Sequence, residues 1–147
     1  MADEFILARI PHRPPFLWLD RVLEITGEKI RAEKVVPKDL DIFQGHYPDY
    51  PLMPGVLLCE AVFQAGALLI FELMRAEAVA DTSKRAVPVL TRILGAKFKR
   101  EVHPGDTLEI SATQVERMGP AWLLKGKVRV GGKVAVQVEF ACAHKGA

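Results

Sequence analysis

An α+β domain, one long buried helix covered by an antiparallel sheet, is predicted by three features of the sequence. Between Val56 and Met74 only Glu60, Gln64 and Glu72 carry polar heads, so a helix there is apolar nearly all round and must be enclosed by other elements. Further on, alternating apolar and polar runs are broken by Gly and Pro, the pattern of half-buried strands. Gly131-Gly132, between two such runs, reads as a two-residue hairpin loop. One helix and six or so strands in 147 residues make a single domain, 1–147, with the sheet curved around the helix.

Taken in order, Phe5 to Ile10 suits a helical turn before Pro11, and Pro14-Pro15 breaks what precedes it. Phe16 to Ile25 is rich in strand formers, and Lys29 to Val36 alternates after the Gly27 turn signal, which predicts a first hairpin. Pro54 and Gly55 open the long helix, since proline suits a first turn whose N–H groups have no helical acceptor. The helix is expected to end near Ala78, before a polar turn over Ala80 to Arg85. Val87 to Leu94 and Ala96 to Val102 read as two strands, and Pro104-Gly105-Asp106 turns the chain into a strand over Thr107 to Arg117. Gly119-Pro120 precedes the last pair, Ala121 to Val130 and Lys133 to Ala143, and His144 to Ala147 are expected to fray.

Composition narrows the function classes. Half the residues are hydrophobic and about a quarter charged, as in a globular domain. A net charge of +2 is too small to argue for nucleic acid. A membrane span is the rival reading of the apolar helix, but Glu60 and Gln64 one turn apart are costly in lipid, and a Pro-Gly mouth fits a soluble start. Cys59 and Cys142 read as reduced core residues of a cytoplasmic protein. His12, His103 and His144 lack a metal-ligand spacing, and no metal is expected.

The chemistry concentrates in Gln44 to Gln64. His46 lies on a loop stiffened by Pro48, Pro51 and Pro54, and an imidazole changes charge near cellular pH. Glu60 and Gln64, four apart, share one face of the helix. A carboxyl among Leu58, Val62 and Phe63 loses hydration, which favours its protonated form. The first helical N–H groups, at Gly55, carry the positive end of the helix dipole and could polarise a carbonyl. Base, acid and oxyanion donor suit proton abstraction beside a carbonyl with loss or gain of a β-hydroxyl. Taken alone, His46 would more often be a backbone-bonded loop histidine than a base, and Glu60 a salt-bridge partner for a core arginine such as Arg13 or Arg92.

Gly45-His46-Tyr47-Pro48-Asp49-Tyr50-Pro51-Leu52-Met53-Pro54-Gly55-Val56 resembles the GHFPxxPxMPGV signature of the 3-hydroxyacyl-acyl-carrier-protein dehydratases of type II fatty acid synthesis. Glu60-Ala61-Val62-Phe63-Gln64 is similar to their EAxAQ box, Pro11 to Leu17 to their PHRYPFL opening, and Ala96 to Arg100 with Pro104-Gly105-Asp106 to their ARFKRPVVPGD stretch. The resemblance implies a hot-dog fold, a homodimer or a hexamer of three dimers, and a site at the dimer interface with the histidine and glutamate from different subunits. It further implies His46 as the base at C2, Glu60 as the acid for the departing hydroxyl, Gly55 as the oxyanion donor, and Gly55, Val56, Phe63 and Gln64 as substrate-binding positions, Gln64 holding Glu60. The related dehydratase-isomerases carry aspartate at the acid position, so Glu60 points to dehydration without isomerisation.

Phe63 departs from the small alanine usual in that family, and a ring there would narrow or reroute an acyl tunnel. Leu90 and Thr91 stand where relatives carry an aromatic and a small residue, so the family's tunnel gate does not transfer. Lys97, Lys99 and Arg100, with Lys84 and Arg85, are candidates for a basic rim that receives an acidic acyl carrier protein; a solvated strand face is the plain alternative. No cofactor is expected, the substrate arriving on the carrier's phosphopantetheine arm. The rivals are a thioesterase on the same fold, in which Glu60 activates water and His46 is dispensable, and a non-catalytic acyl-thioester-binding module.

Overall fold

The computed structural model describes residues 2–77 and 88–144. The expected helix end at Ala78, the turn over 80–85 with Lys84 and Arg85, and the final residues 145–147 lie outside them. The elements run α1 (Glu4–Leu7), β1 (Arg21–Thr26), β2 (Lys29–Val35), a 3₁₀ turn (Asp41–Gln44), α2 (Gly55–Glu77), β3 (Pro88–Phe98), β4 (Thr107–Met118), β5 (Ala121–Val130) and β6 (Lys133–His144).

The apolar character of α2 dictates the architecture. Every residue from 61 to 70 is buried, and α2 packs against β2, β3, β4, β5 and β6. The six strands form one sheet in the order β1-β2-β4-β5-β6-β3, with every pairing antiparallel. A single sheet reaches one helix with five of its strands only by curling around it, the hot-dog arrangement. The alternation read from sequence supplies the inner face: Leu108, Ile110, Ala112, Trp122, Leu124, Val128, Val136, Val138 and Phe140 are buried and join the α2 residues in one core cluster. α2 is the one described helix with the length and mean hydropathy, 1.9, to cross a membrane, and here it is the core.

Glycine sets two features. Gly27, Gly131 and Gly132 have positive φ at the β1–β2 and β5–β6 turns, where side chains are disfavoured. Gly126 lets the sheet touch the helix: a Cβ there would fall 2.3 Å from Val62 Cγ1 and 2.4 Å from the Ser111 carbonyl oxygen.

Two strand boundaries differ from expectation. The first strand begins at Arg21 rather than Phe16, because the Trp18 N–H and the Phe16 carbonyl bond to the Gln64 side chain instead of a neighbouring strand. The two strands expected over 87–102 are one, Pro88–Phe98; irregularities in register between Leu90 and Arg92 and between Ile93 and Gly95 absorb the break expected at Gly95. Beyond it, Val102 turns inward and its carbonyl accepts the Met53 N–H at 2.8 Å. β3 is also the last strand of the sheet, so one flank of its backbone is unpaired among the described residues.

Candidate active site

The loop before α2 is tied down by its own backbone. The His46 N–H donates to the Ile42 carbonyl, the Leu52 N–H to the His46 carbonyl, both at 2.9 Å, and the Met53 N–H to Val102. The side chain adds a further tie: His46 Nδ1 lies 2.9 Å from the Leu52 carbonyl oxygen. A carbonyl only accepts, so Nδ1 carries a proton, and of the two uncharged tautomers this contact selects the one with its lone pair at Nε2. Among the described residues nothing pairs with Nε2, and the ring stacks on Tyr47. This is the tautomer a general base needs.

α2 opens beside that loop. The Leu57 and Leu58 N–H groups both donate to the Pro54 carbonyl, so the Gly55 and Val56 N–H groups precede the first helical acceptor and are free to meet a ligand oxygen. The Phe98 ring lies over Gly55 so closely that a Cβ would come within 2.6 Å of it. Val56, in the same first turn, is 71% exposed.

Glu60 projects one turn further along. Its enclosure is less complete than expected, since the side chain is 21% exposed. Gln64 is wholly buried and fully satisfied: Nε2 donates to Glu60 Oε2 and to the Phe16 carbonyl, each at 3.0 Å, and Oε1 accepts the Trp18 N–H at 2.8 Å. Gln64 thus fixes one carboxylate oxygen and stitches α2 to the N-terminal segment of its own chain. Phe63 is buried on another side of the helix, its ring centroid 4.8 Å from that of Phe140. Arg13, considered above as a partner for Glu60, instead donates to the carbonyls of Leu7, Ile10 and His12.

His12 was missed as a member of this cluster. Its Nε2 lies 3.7 Å from Glu60 Oε2, and its Nδ1 is buried without a partner. Burial holds its pKa below the ordinary value of 6.5, against the opposing pull of Glu60 and with help from Arg13. The signal available in the sequence was its place in Pro11 to Leu17, a matched stretch 48 residues from Glu60.

His46 and Glu60 share no hydrogen bond or ion pair among the described residues. Cys59 and Cys142 are free and buried; burial, then the nearby Glu60, pushes the Cys142 thiol up to about 12. No group of three or more His, Cys, Asp or Glu among the described residues is placed to hold a metal ion. The basic candidates divide between two grooves. Lys97 lines one of about 680 Å³ on the outer sheet face with Lys29, Lys125, Lys127, Arg129 and Glu139. Lys99 and Arg100 line another of about 450 Å³ with Glu101, His103 and Lys133.

Residues 10–139 match the FabA-like domain family. The chain is 40% identical over 146 residues to a 3-hydroxyacyl-[acyl-carrier-protein] dehydratase FabZ of Oceanobacillus iheyensis, covering 99% of each chain. It is 42% identical to that of a Polaromonas species, covering 95% of this chain and 94% of the relative, and 40% identical to that of Petrotoga mobilis, covering 95% of each. Among solved structures, the dehydratase heterocomplex ApeI:P from Xenorhabdus doucetiae superposes with a TM-score of 0.75 at 16% identity, covering 95% of this chain and 90% of that one. A hypothetical thioesterase from Streptococcus pneumoniae with coenzyme A superposes at 0.64 and 11% identity, over 85% and 87%; at such identities the likeness is one of fold.

Proposed function

The chain belongs to the FabA-like domain family, and on that premise we propose that it is a 3-hydroxyacyl-[acyl-carrier-protein] dehydratase, a hydro-lyase that forms trans-2-enoyl thioesters in fatty acid synthesis. The observation that carries the proposal is the state of His46: the Leu52 carbonyl fixes the proton on Nδ1 and leaves Nε2 as a base, in the loop that delivers the free N–H groups of Gly55 and Val56.

The steps follow from that geometry. The thioester carbonyl accepts from the Gly55 N–H at the positive end of α2, which withdraws charge from C2 and makes its proton acidic. His46 Nε2 takes that proton. The C2–H electron pair becomes the C2=C3 bond as the C3–O bond breaks, and Glu60 protonates the departing hydroxyl, which leaves as water. Val56 and Phe63 contact or shape the acyl path, and Gln64 holds Glu60. The thioester itself supplies the acidity, so the reaction requires no metal or redox cofactor.

His46 and Glu60 act across a homodimer in this reading. One feature supports it: β3 ends the sheet with one flank unpaired among the described residues, and Val89, Leu90, Ile93, Leu94 and Phe98 on it are exposed. A hexamer of three dimers extends the same assembly. The carrier protein docks through Lys97, Lys99 and Arg100; the excess of cations over the single lining acid, Glu139, in the larger groove supports the part of Lys97, and Lys99 and Arg100 line the second groove. The enzyme works in the cytoplasm.

Purified protein with a 3-hydroxyacyl carrier-protein or N-acetylcysteamine thioester is expected to raise the absorbance of the conjugated enoyl product without releasing thiol. Thiol release would mark a thioesterase, and neither signal at any chain length a binding module. His46→Ala and Glu60→Gln are each expected to abolish turnover in a folded oligomer; near-normal rates in either variant refute the role given to that residue. A Phe63→Ala variant accepting longer chains would place the ring on the acyl path.

A further inference from the structure

Glu60 has two carboxyl oxygens, and its surroundings treat them unequally. Oε2 receives the Gln64 amide at 3.0 Å and faces His12 Nε2 at 3.7 Å, whereas no hydrogen bond engages Oε1 among the described residues. His12 Nδ1 is buried with no partner. A buried N–H left unpaired is rarer and more costly than a bare acceptor, so the neutral ring carries its proton on Nε2, the nitrogen 3.7 Å from Oε2. We propose that His12 is a positioning residue for the dehydration: together with Gln64 it fills Oε2 with donors, so the transferable proton of the acid resides on Oε1, the oxygen left for substrate.

The inference rests on the dehydratase reading above. When Oε1 gives its proton to the departing hydroxyl, charge develops on a carboxylate whose other oxygen already faces two N–H dipoles. The 3.7 Å gap is longer than a formed hydrogen bond, and contacts of this kind tighten in the reacting complex. The groups bearing on His12 are Glu60 from α2 and Arg13 from its own segment, while burial keeps the ring neutral near pH 7. Protonating His12 would place an N–H at the buried, unpartnered Nδ1, a cost that disturbs the seat of the ring against Glu60. Turnover therefore falls on acidification through the His12 titration, below its ordinary value of 6.5.

The test compares His12→Phe, which keeps a ring and removes both nitrogens, with His12→Gln, which keeps a donor. With the wild type forming enoyl product, His12→Phe is expected to lower kcat by at least about tenfold with KM unchanged. His12→Gln is expected to recover part of that loss and to lack the lowest-pH limb of the wild-type kcat profile. A folded His12→Phe with wild-type kcat, a His12→Gln no faster than His12→Phe, or an unchanged acid limb in His12→Gln each overturns the inference. The His12→Gln profile decides the matter if His12→Phe does not fold. Absence of enoyl product from the wild type sinks the parent reading instead, so the two failures are distinguishable.

Discussion

Replacing Gln64 by Leu tests the link between the core and the candidate site. The substitution nearly conserves volume but removes three hydrogen bonds: one accepted from the Trp18 N–H, one donated to the Phe16 carbonyl, and one donated to Glu60. Trp18 is only 5% exposed, so its N–H is left buried without a partner, at about 1–3 kcal/mol. Phe16 is exposed at the side chain, and its carbonyl more readily regains water and contributes less. The net expectation is a loss of about 2–3 kcal/mol, a substantial share of the roughly 5–15 kcal/mol that holds a domain together. At about 2–4 °C per kcal/mol for a chain of this size, the midpoint falls by about 4–12 °C. Urea denaturation at one fixed protein concentration measures it, because assembly also contributes to apparent stability. A shift under about 0.5 kcal/mol with an unchanged denaturant slope would refute the claim that Gln64 anchors the N-terminal segment. Gln64→Glu keeps an acceptor for Trp18 and loses the donors, so it separates the two halves of the bridge.

Gly126→Ala is expected to lose about 1–3 kcal/mol by overpacking, measured by the same denaturation. Val62→Ala in that background is expected to relieve it only in part, since the Ser111 carbonyl stands as close to the new methyl as Val62 does. Burial raises the Cys59 thiol above its ordinary range and pushes Cys142 up to about 12, so thiolate is scarce in the native state; iodoacetamide at pH 8 is expected to label neither thiol in native protein and both in guanidinium. Rapid labelling of the native chain, read by mass, would disprove the buried placement of the labelled cysteine.

The parts legible in the sequence were those that local chemistry decides. Pro54-Gly55 marked the start of α2 because a first turn tolerates a missing N–H and Gly55 leaves room for the Phe98 ring. Gly27 and Gly131-Gly132 marked hairpins because positive φ is cheap only for glycine. What was not legible depended on partners distant in the chain. Phe16 to Asp20 has strand-forming composition, but a glutamine from α2 takes the hydrogen bonds that a ladder would have used. Gly95 looked like a break, but the pairing with β6 runs through it by shifting register. His12 was marked only by its place in the matched Pro11 to Leu17 stretch, and its nearness to Glu60 arises when that segment is laid against α2.

The open flank of β3 bears on how the protein is made as well as on how it works. An eleven-residue strand with one flank unpaired among the described residues and a row of apolar side chains is a template for indiscriminate pairing, and a newly synthesised chain carries it from the moment the sheet closes. Lys97 and Arg92 on the same strand give some protection through charge repulsion, which salt weakens. The soluble yield should therefore fall at high ionic strength even where the folded core is unchanged, and a charge placed at Ile93 is expected to rescue solubility while harming assembly.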